Sequence, residues 1–127
     1  MSLDITTCPI FDDWGDNGID DSVKNILEWG NVQVEYSSFE VGRTKKTTWA
    51  YWSMYWEKGV IGMPHLKSPD DEKYARIHAA LFVFLWCNKI GAYLADQLCE
   101  DYIYRLKRNE QYRQQWKLES RPDYYII

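Results

Sequence analysis

The sequence predicts a mostly α-helical fold, a small single-domain bundle around a buried helix at residues 69–87. Two observations lead to this prediction. A strong helix start at Ser68 precedes a long apolar run. Apolar residues then recur at helical spacing through residues 89–118. The alternative fold class is α+β, with a β-hairpin within residues 32–56.

Length and composition predict one globular domain over residues 1–127. A chain of 127 residues can bury a core without disulfides or metal. Its 46% hydrophobic and 27% charged residues are ordinary values, which argues against disordered and fibrous classes. The 17% aromatic content stands out and suits either a core or a recognition surface.

Cysteine usage and hydropathy predict a cytoplasmic protein. Cys8, Cys87 and Cys99 form an odd set without a CxxC pair, which argues against a disulfide framework and a zinc knuckle. We therefore expect reduced thiols. The amino-terminal residues lack a secretory pattern, and the apolar run at 79–87 is far shorter than a bilayer span. No membrane partner is expected.

Charge is distributed unevenly along the chain, whose net charge is -4. Residues 1–40 carry nine acidic residues and a single basic one, Lys24. The remainder carries fourteen basic and ten acidic residues. Such opposite poles indicate either pairing between the two ends or two different partner surfaces.

The first segment, residues 1–19, is predicted to be an irregular acidic arm because prolines, glycines and aspartates dominate it. Its DWGDNGIDD stretch fails as a calcium loop, since Gly15 and Lys24 occupy positions that need oxygen ligands. A helix is predicted at 20–29, where acidic residues begin it and Gly30 ends it. The next stretch, VQVEYSSFEV, fits both a strand and a helix.

The stretch TTWAYWSMYWEKG at positions 47–59 is predicted to be a helix. As a strand it would place large side chains on both faces and leave no polar face. As a helix its aromatic residues fall within an arc of about 160°. These residues are Trp49, Tyr51, Trp52, Tyr55 and Trp56.

The helix at 69–87 has the clearest signals, because Ser68 can cap it and Pro69 suits its first position. Its second half has no polar stripe, so we expect it at the centre of the domain. A further helix is expected to end near Leu118, and residues 122–127 form an apolar carboxyl-terminal tail that must dock or meet a partner.

Chemistry-bearing motifs are lacking in this sequence. His78 and Cys87 fall on opposite faces of one helix and cannot form a dyad within it. His65 stands alone in a loop, where a histidine without catalytic role is the commoner case. We predict no catalytic residues, no metal ligands and no cofactor. An enzyme or small-ligand-binding protein with an aromatic-lined pocket is the third functional hypothesis.

The leading hypothesis is a non-enzymatic interaction protein, a small regulator or inhibitor that binds a macromolecular partner and forms a homodimer. The five aromatic residues of the 47–59 stretch would bind a protein partner, since Trp and Tyr dominate many interfaces. Within that stretch Trp52 is expected to be buried. Trp49 and Tyr51, at the edges of the arc, are the expected exposed anchors.

The alternative hypothesis is nucleic-acid binding by the carboxyl-terminal half. The stretch KIGAYLADQLCEDYIYRLKRNEQYR loosely resembles a helix-turn-helix motif, with EDYIYRLKR as the recognition helix. The basic residues are Arg105, Lys107, Arg108, Arg113 and Lys117. The overall acidity and the missing turn glycine disfavour this hypothesis, and an uninterrupted amphipathic helix fits better.

Overall fold

A computed structural model describes residues 3–11 and 18–119, leaving out the side chains of residues 18, 19 and 112–119. The elements in chain order are α1 (Gly18–Trp29), β1 (Gln33–Val41), β2 (Thr47–Trp56), β3 (Gly59–Met63), α2 (Glu72–Cys87) and α3 (Ala92–Glu119). The strands form an antiparallel sheet in the order β1-β2-β3. Helix α2 lies between this sheet and the other two helices, contacting all of them.

The fold is α+β, so the prediction of a mostly α-helical bundle is wrong. The stretch predicted as a helix at 47–59 instead supplies β2 and the start of β3. The alternative prediction, a hairpin within residues 32–56, agrees with the observed β1–β2 pair, although the third strand was not expected. Threonine and aromatic residues favour strands, and a helical arc of 160° would have needed partners along its whole length.

Sheet register explains how β2 accommodates large side chains on both faces. Val34 lies opposite Met54, and Phe39 lies opposite Trp49. Because side chains alternate along a strand, even-numbered positions of β2 face the helices and odd-numbered positions face away. Met54 is accordingly buried among the core residues, whereas Trp49 is exposed on the opposite face.

Helix α2 occupies the centre of the molecule, as the sequence predicted for this segment. Its buried residues run almost without interruption and are Ala75, Ile77, His78, Ala79, Ala80, Leu81, Phe82 and Val83. Trp86 packs edge-to-face against Trp56 of the sheet, with ring centroids 6.0 Å apart. The last turn of α2 is only half-buried.

The start of α2 confirms the predicted boundary near Pro69. One turn of 3₁₀ helix spans Pro69–Asp71, and the α-helix follows from Glu72. Ser68 Oγ accepts a hydrogen bond from the Asp70 backbone N–H at 3.1 Å, and its own N–H donates to Asp71 Oδ2 at 3.4 Å. This reciprocal capping box satisfies helix donors that would otherwise lack partners.

A residue with left-handed backbone conformation follows both α1 and α2, two positions after the last residue of each helix. Asn31 has a φ of 49° after α1, and Lys89 has a φ of 67° after α2. In each case the next residue's N–H bonds to a carbonyl five residues back, as in Val32 to Leu27 at 2.9 Å. The second of these ends reverses the chain, so α3 packs along α2.

The amino-terminal segment packs against the helices where it is described. Residues 5–7 form a 3₁₀ turn, and Trp29 Nε1 donates to Thr7 Oγ1 at 3.0 Å. Phe11 is buried, with its ring centroid 6.2 Å from that of Phe84. Helix α1 begins two residues earlier than predicted, so the predicted arm at 1–19 is shortened. Residues 12–17 of that arm and the predicted tail at 122–127 lie outside the described residues.

Candidate functional site

The distal half of the β1–β2 hairpin extends beyond the rest of the sheet. Strand β3 pairs with β2 only from Trp52 to Trp56. Residues 37–41 and 47–51 therefore form a two-stranded segment, here called the distal ribbon. Every residue from 37 to 49 is exposed. The distal ribbon thus has little support from the core of its own chain.

The two faces of the distal ribbon differ in polarity. The face continuous with the helix side of the sheet carries Ser38, Glu40, Thr48 and Ala50. The opposite face carries the residues called here the aromatic patch, which are Phe39, Val41, Trp49 and Tyr51. In the rest of the sheet the buried residues Trp52, Met54 and Trp56 point towards the helices, whereas Tyr55 and Val60 lie on the opposite face. At the distal ribbon, the large apolar side chains therefore switch from the helix-facing side of the sheet to the opposite side.

The side chains of the aromatic patch contact one another and the neighbouring strand β3. The Phe39 and Tyr51 rings meet edge-to-face, with centroids 5.8 Å apart. Tyr51 lies over Gly62, where an added Cβ would come within 3.2 Å of the Tyr51 ring. Trp49 remains 52% exposed and Phe39 43% exposed. With Pro64 these residues border a shallow groove of about 460 Å³.

A basic turn closes the distal ribbon. Arg43, Lys45 and Lys46 are all exposed in this turn. Lys46 Nζ lies 3.6 Å from Glu40 Oε2 in an exposed ion pair, which contributes little to stability. Gly42 has a φ of 116°, and a Cβ there would approach the Lys45 carbonyl oxygen to 2.5 Å. The turn therefore requires glycine and places positive charge beside the aromatic patch.

The structure divides the five predicted partner-binding aromatics between the core and the face of the sheet that is turned away from the helices. Trp52 and Trp56 are buried in the core, at 7% and 9% exposure. Trp49 and Tyr51 belong to the aromatic patch. Tyr55 lies half-buried further along the same face of the sheet, which is turned away from the helices and is here called the open face. The expected contrast between a buried Trp52 and an exposed Trp49 is confirmed, although in a strand. Sequence reasoning missed Phe39 and Val41.

A second candidate region is a groove of about 760 Å³ along α3. Beside it lies a pair of histidine rings, His65 and His78, with centroids 5.0 Å apart. His78 is fully buried, and its Nε2 lies 3.3 Å from Asp96 Oδ1. His65 Nδ1 lies 3.7 Å from Glu100 Oε1. Burial, followed by the proximity of His78, lowers the pKa of His65 to about 4.

The groove is lined mainly by polar and charged residues of α3. Cys99 is fully buried, and burial raises the pKa of its thiol, so it is a poor nucleophile. Across residues 3–11 and 18–119, no three His, Cys, Asp or Glu side chains are placed to hold a metal ion. The side chains that line the groove can make polar contacts with a ligand.

The pKa of His65 predicts acid sensitivity. The unfolded chain takes up this proton near the ordinary value of 6.5, whereas the folded protein takes it up near 4. Between these pH values the unfolded state binds more protons than the folded state. The contribution of His65 to the free energy of unfolding is therefore complete above pH 6.5 and is lost as the pH decreases towards 4. In His65→Gln this contribution disappears, and we expect a shallower fall of stability over that window. Urea unfolding at a series of pH values measures it.

Tyr104→Ala is the control for this experiment, because it changes the same groove without removing an imidazole. It should keep the slope of the wild type between pH 6.5 and 4. Identical slopes in His65→Gln and wild type would contradict the assignment of this acid sensitivity to His65.

The basic residues predicted to bind nucleic acid lie on one continuous helix, since α3 runs without a turn from Ala92 through the rest of the predicted helix-turn-helix region. Lys107 Nζ bonds to Asp71 Oδ1 at 3.1 Å, and Arg105 lies 3.1 Å from Asp101. Arg108 lines the groove. The side chains of Arg113 and Lys117 lie outside the described residues. Two of the five cations are thus already paired with carboxylates.

Comparisons with protein-family models, curated proteins and solved structures return no significant match to this chain. Among the described residues, no helix has the length and apolar character needed to cross a membrane. The functional assignment therefore rests on the geometry of the chain itself.

Proposed function

We propose that this protein is a non-enzymatic interaction module that binds a protein surface through the aromatic patch. One observation carries the proposal: the apolar side of the sheet changes over at the distal ribbon, so four large residues point away from their own core. A two-stranded ribbon is marginally stable in water unless an apolar face is covered. Clustered exposed aromatics mark interaction sites more often than scattered ones do.

A second copy of this chain is the occupant that we propose for the patch. The open face of the sheet is apolar at both ends, with the aromatic patch at one end and Tyr55 beside Val60 at the other. Val60 is 60% exposed. In an antiparallel face-to-face dimer, the patch of each copy covers Tyr55 and Val60 of its partner. Such a self-complementary arrangement is what a two-fold interface requires.

Charge complementarity supports the same arrangement. The basic turn lies at the patch end of the sheet, whereas Glu35 is exposed on the open face towards the opposite end. In the antiparallel dimer, Arg43 and Lys45 of one copy come near Glu35 of the other. Opposite charges at the rim of an interface steer association and fix its orientation. We propose that this dimer acts as a regulator or inhibitor of a macromolecular partner.

Trp49→Ala tests this proposal. The exposed indole is the expected centre of the interface, and loss of such an anchor typically costs 2 kcal/mol or more of binding free energy. Because a two-fold interface contains this side chain twice, we expect the dimer dissociation constant to rise about 800-fold. Sedimentation equilibrium measures it, and circular dichroism should show unchanged secondary structure because Trp49 contributes little to the core.

The matched control is Tyr93→Ala, which removes another exposed aromatic, on α3 and away from the sheet. It should leave the dissociation constant unchanged. A wild-type chain that stays monomeric at the highest concentrations reached would exclude the second copy. A dimer that survives Trp49→Ala would place its interface outside the aromatic patch.

A cytoplasmic location is part of the proposal. Cys8, Cys87 and Cys99 are all free thiols, which suits a reducing compartment. The nucleic-acid hypothesis has less support, because Lys107 and Arg105 already pair with carboxylates.

A further inference from the structure

Strand β1 forms an outer edge of the sheet and is regular along its whole length. Within the described residues, β1 pairs with β2 alone. The pairing runs in unbroken register from Gln33 opposite Tyr55 to Val41 opposite Thr47, so the strand contains no bulge. It also contains no proline. The edge therefore lacks two of the devices, a bulge and a proline, that natural proteins use to block strand pairing.

The hydrogen bonds of β2 show which backbone groups of β1 point out of the sheet. The Trp52 N–H donates to the carbonyl oxygen of Leu66, beyond β3, at 3.0 Å, so this group points away from β1. Tyr36 lies directly opposite Trp52. Opposed residues in an antiparallel pair exchange both of their hydrogen bonds or neither, and the pattern alternates along the strand. The residues of β1 with outward backbone groups are therefore Val34, Tyr36, Ser38 and Glu40.

These outward groups form a regular ladder along the edge. Each of the four residues offers one N–H and one carbonyl oxygen, at intervals of two residues. Among residues 3–11 and 18–119, no backbone group outside β1 bonds to them. The spacing matches the backbone of one more extended strand.

We propose that the outer edge of β1 is a peptide-binding site, to which an extended segment of a partner protein adds antiparallel as a fourth strand of the sheet. The main chain of the segment bonds to the outward groups of β1, which supplies affinity for an extended chain. The exposed side chains of β1 then select among such chains, because directly opposed side chains in a sheet interact.

Charges near both ends of β1 define the chemistry of the partner segment. Glu35 is exposed near the start of the strand, and the basic turn lies beyond its end. Glu40 already pairs with Lys46 of that turn. An antiparallel segment is therefore expected to carry an acidic residue at its amino end, beside the basic turn, and a basic residue opposite Glu35. An apolar residue opposite Phe39 would extend the aromatic patch.

The peptide-binding edge is distinct from the proposed dimer interface. The dimer covers the open face of the sheet, whereas an added strand extends the sheet sideways from β1. Each copy in the dimer therefore keeps one free edge. The edge gives the macromolecular partner a chemical description, an extended segment that is acidic first and basic later.

A synthetic peptide as long as the nine residues of β1 tests this proposal. It has threonine at even positions and valine at odd positions, except for glutamate at the first and lysine at the seventh, which lies opposite Glu35 when the first lies opposite Val41. The full-length protein is titrated by nuclear magnetic resonance at a concentration where it is monomeric. We expect saturable binding below about 1 mM.

Amide hydrogen exchange identifies the bound edge. In the free protein, the outward amides of Tyr36 and Ser38 should exchange faster than those of Glu35 and Ser37, which point towards β2. The bound peptide should slow exchange at Tyr36 and Ser38 by about tenfold or more and so remove this difference.

Two matched peptides separate the contributions of backbone and charge. Methylation of the backbone nitrogens of the fourth and sixth residues removes two donors that face β1, so this peptide should bind at least about tenfold more weakly. A peptide with its glutamate and lysine exchanged has the same composition. It should bind about three- to tenfold more weakly, because its lysine then lies beside the basic turn and its glutamate opposite Glu35.

Ser38→Pro is the informative protein variant. It removes an outward N–H without removing a bond to β2, so it should abolish peptide binding and leave the circular dichroism spectrum unchanged. It should also leave the dimer dissociation constant unchanged, because residue 38 faces away from the open face, so failure of this proposal is distinguishable from failure of the dimer. Ser38→Thr should bind the peptide as the wild type does. Outward amides already protected in the free protein, no saturation at about 1 mM, or binding that survives Ser38→Pro would each overturn the proposal.

Discussion

Phe82→Ala is expected to lower the free energy of unfolding by about 3–5 kcal/mol, the cost typical of removing a buried phenylalanine. Phe82 is 1% exposed and has one of the largest fully buried side chains of the domain. Its ring lies 6.2 Å from that of Trp86, which in turn packs on the sheet. The loss is large because α2 contacts the sheet and both other helices, so a cavity there has rigid walls on several sides.

Urea unfolding monitored by circular dichroism measures this loss. The matched control is Phe39→Ala, which removes the same side chain from the distal ribbon, where it is 43% exposed. At a protein concentration where the chain is monomeric, Phe39→Ala should cost less than about 1 kcal/mol. Equal losses in the two variants would mean that the core is not centred on α2.

Trp52→Ala is expected to cost about 3–4 kcal/mol, because it removes a packed ring and a partly buried hydrogen bond together. The indole of Trp52 is tilted against the Tyr36 ring, with centroids 5.5 Å apart. Its Nε1–H donates to the Ser68 carbonyl oxygen at 2.7 Å. Ser68 caps the start of α2, so this one side chain joins the sheet to the beginning of the central helix.

Two comparisons separate the parts of this effect. Trp52→Phe keeps an aromatic ring but loses the donor, so it should recover more than half of the stability lost in Trp52→Ala. Trp49→Ala, in the same strand but on the open face, should cost less than about 1 kcal/mol in the monomer. If Trp49→Ala proved as costly as Trp52→Ala, the open face would be part of the core.

The sequence predicted the helices well because their signals are local. Ser68 and the acidic residues after Pro69 define a helix start through bonds within four residues. Helix α1 ends at Trp29 as predicted, with Asn31 completing the stop. Helix α3 runs to Glu119, one residue beyond the predicted end. None of these boundaries depends on a distant contact.

The leading prediction missed the sheet, which only the alternative hairpin within 32–56 included, because the apolar pattern changes phase within both strands. In β1 the apolar positions are even-numbered up to Tyr36 and odd-numbered from Phe39. In β2 the change runs from Trp49 and Tyr51 to Trp52. A strand with one buried face would alternate without a break, so the phase change hid the period of two. The same phase change creates the aromatic patch.

The histidine pair arises only from tertiary packing. His65 precedes α2 and His78 lies within it, and their rings meet when the chain turns back at Ser68. This spacing is not a motif, so the sequence could not predict the pair.

Within the described part of the chain, strand β1 lies at an edge of the sheet and pairs with β2 alone, which has a consequence for aggregation. Its nine residues include no proline, so its outer backbone groups could pair with strands of other chains. In a parallel, in-register stack of the amyloid type, Glu35 and Glu40 would each face their own copies. That repulsion opposes such stacking and so protects the exposed edge of β1 from pairing with other copies of the chain.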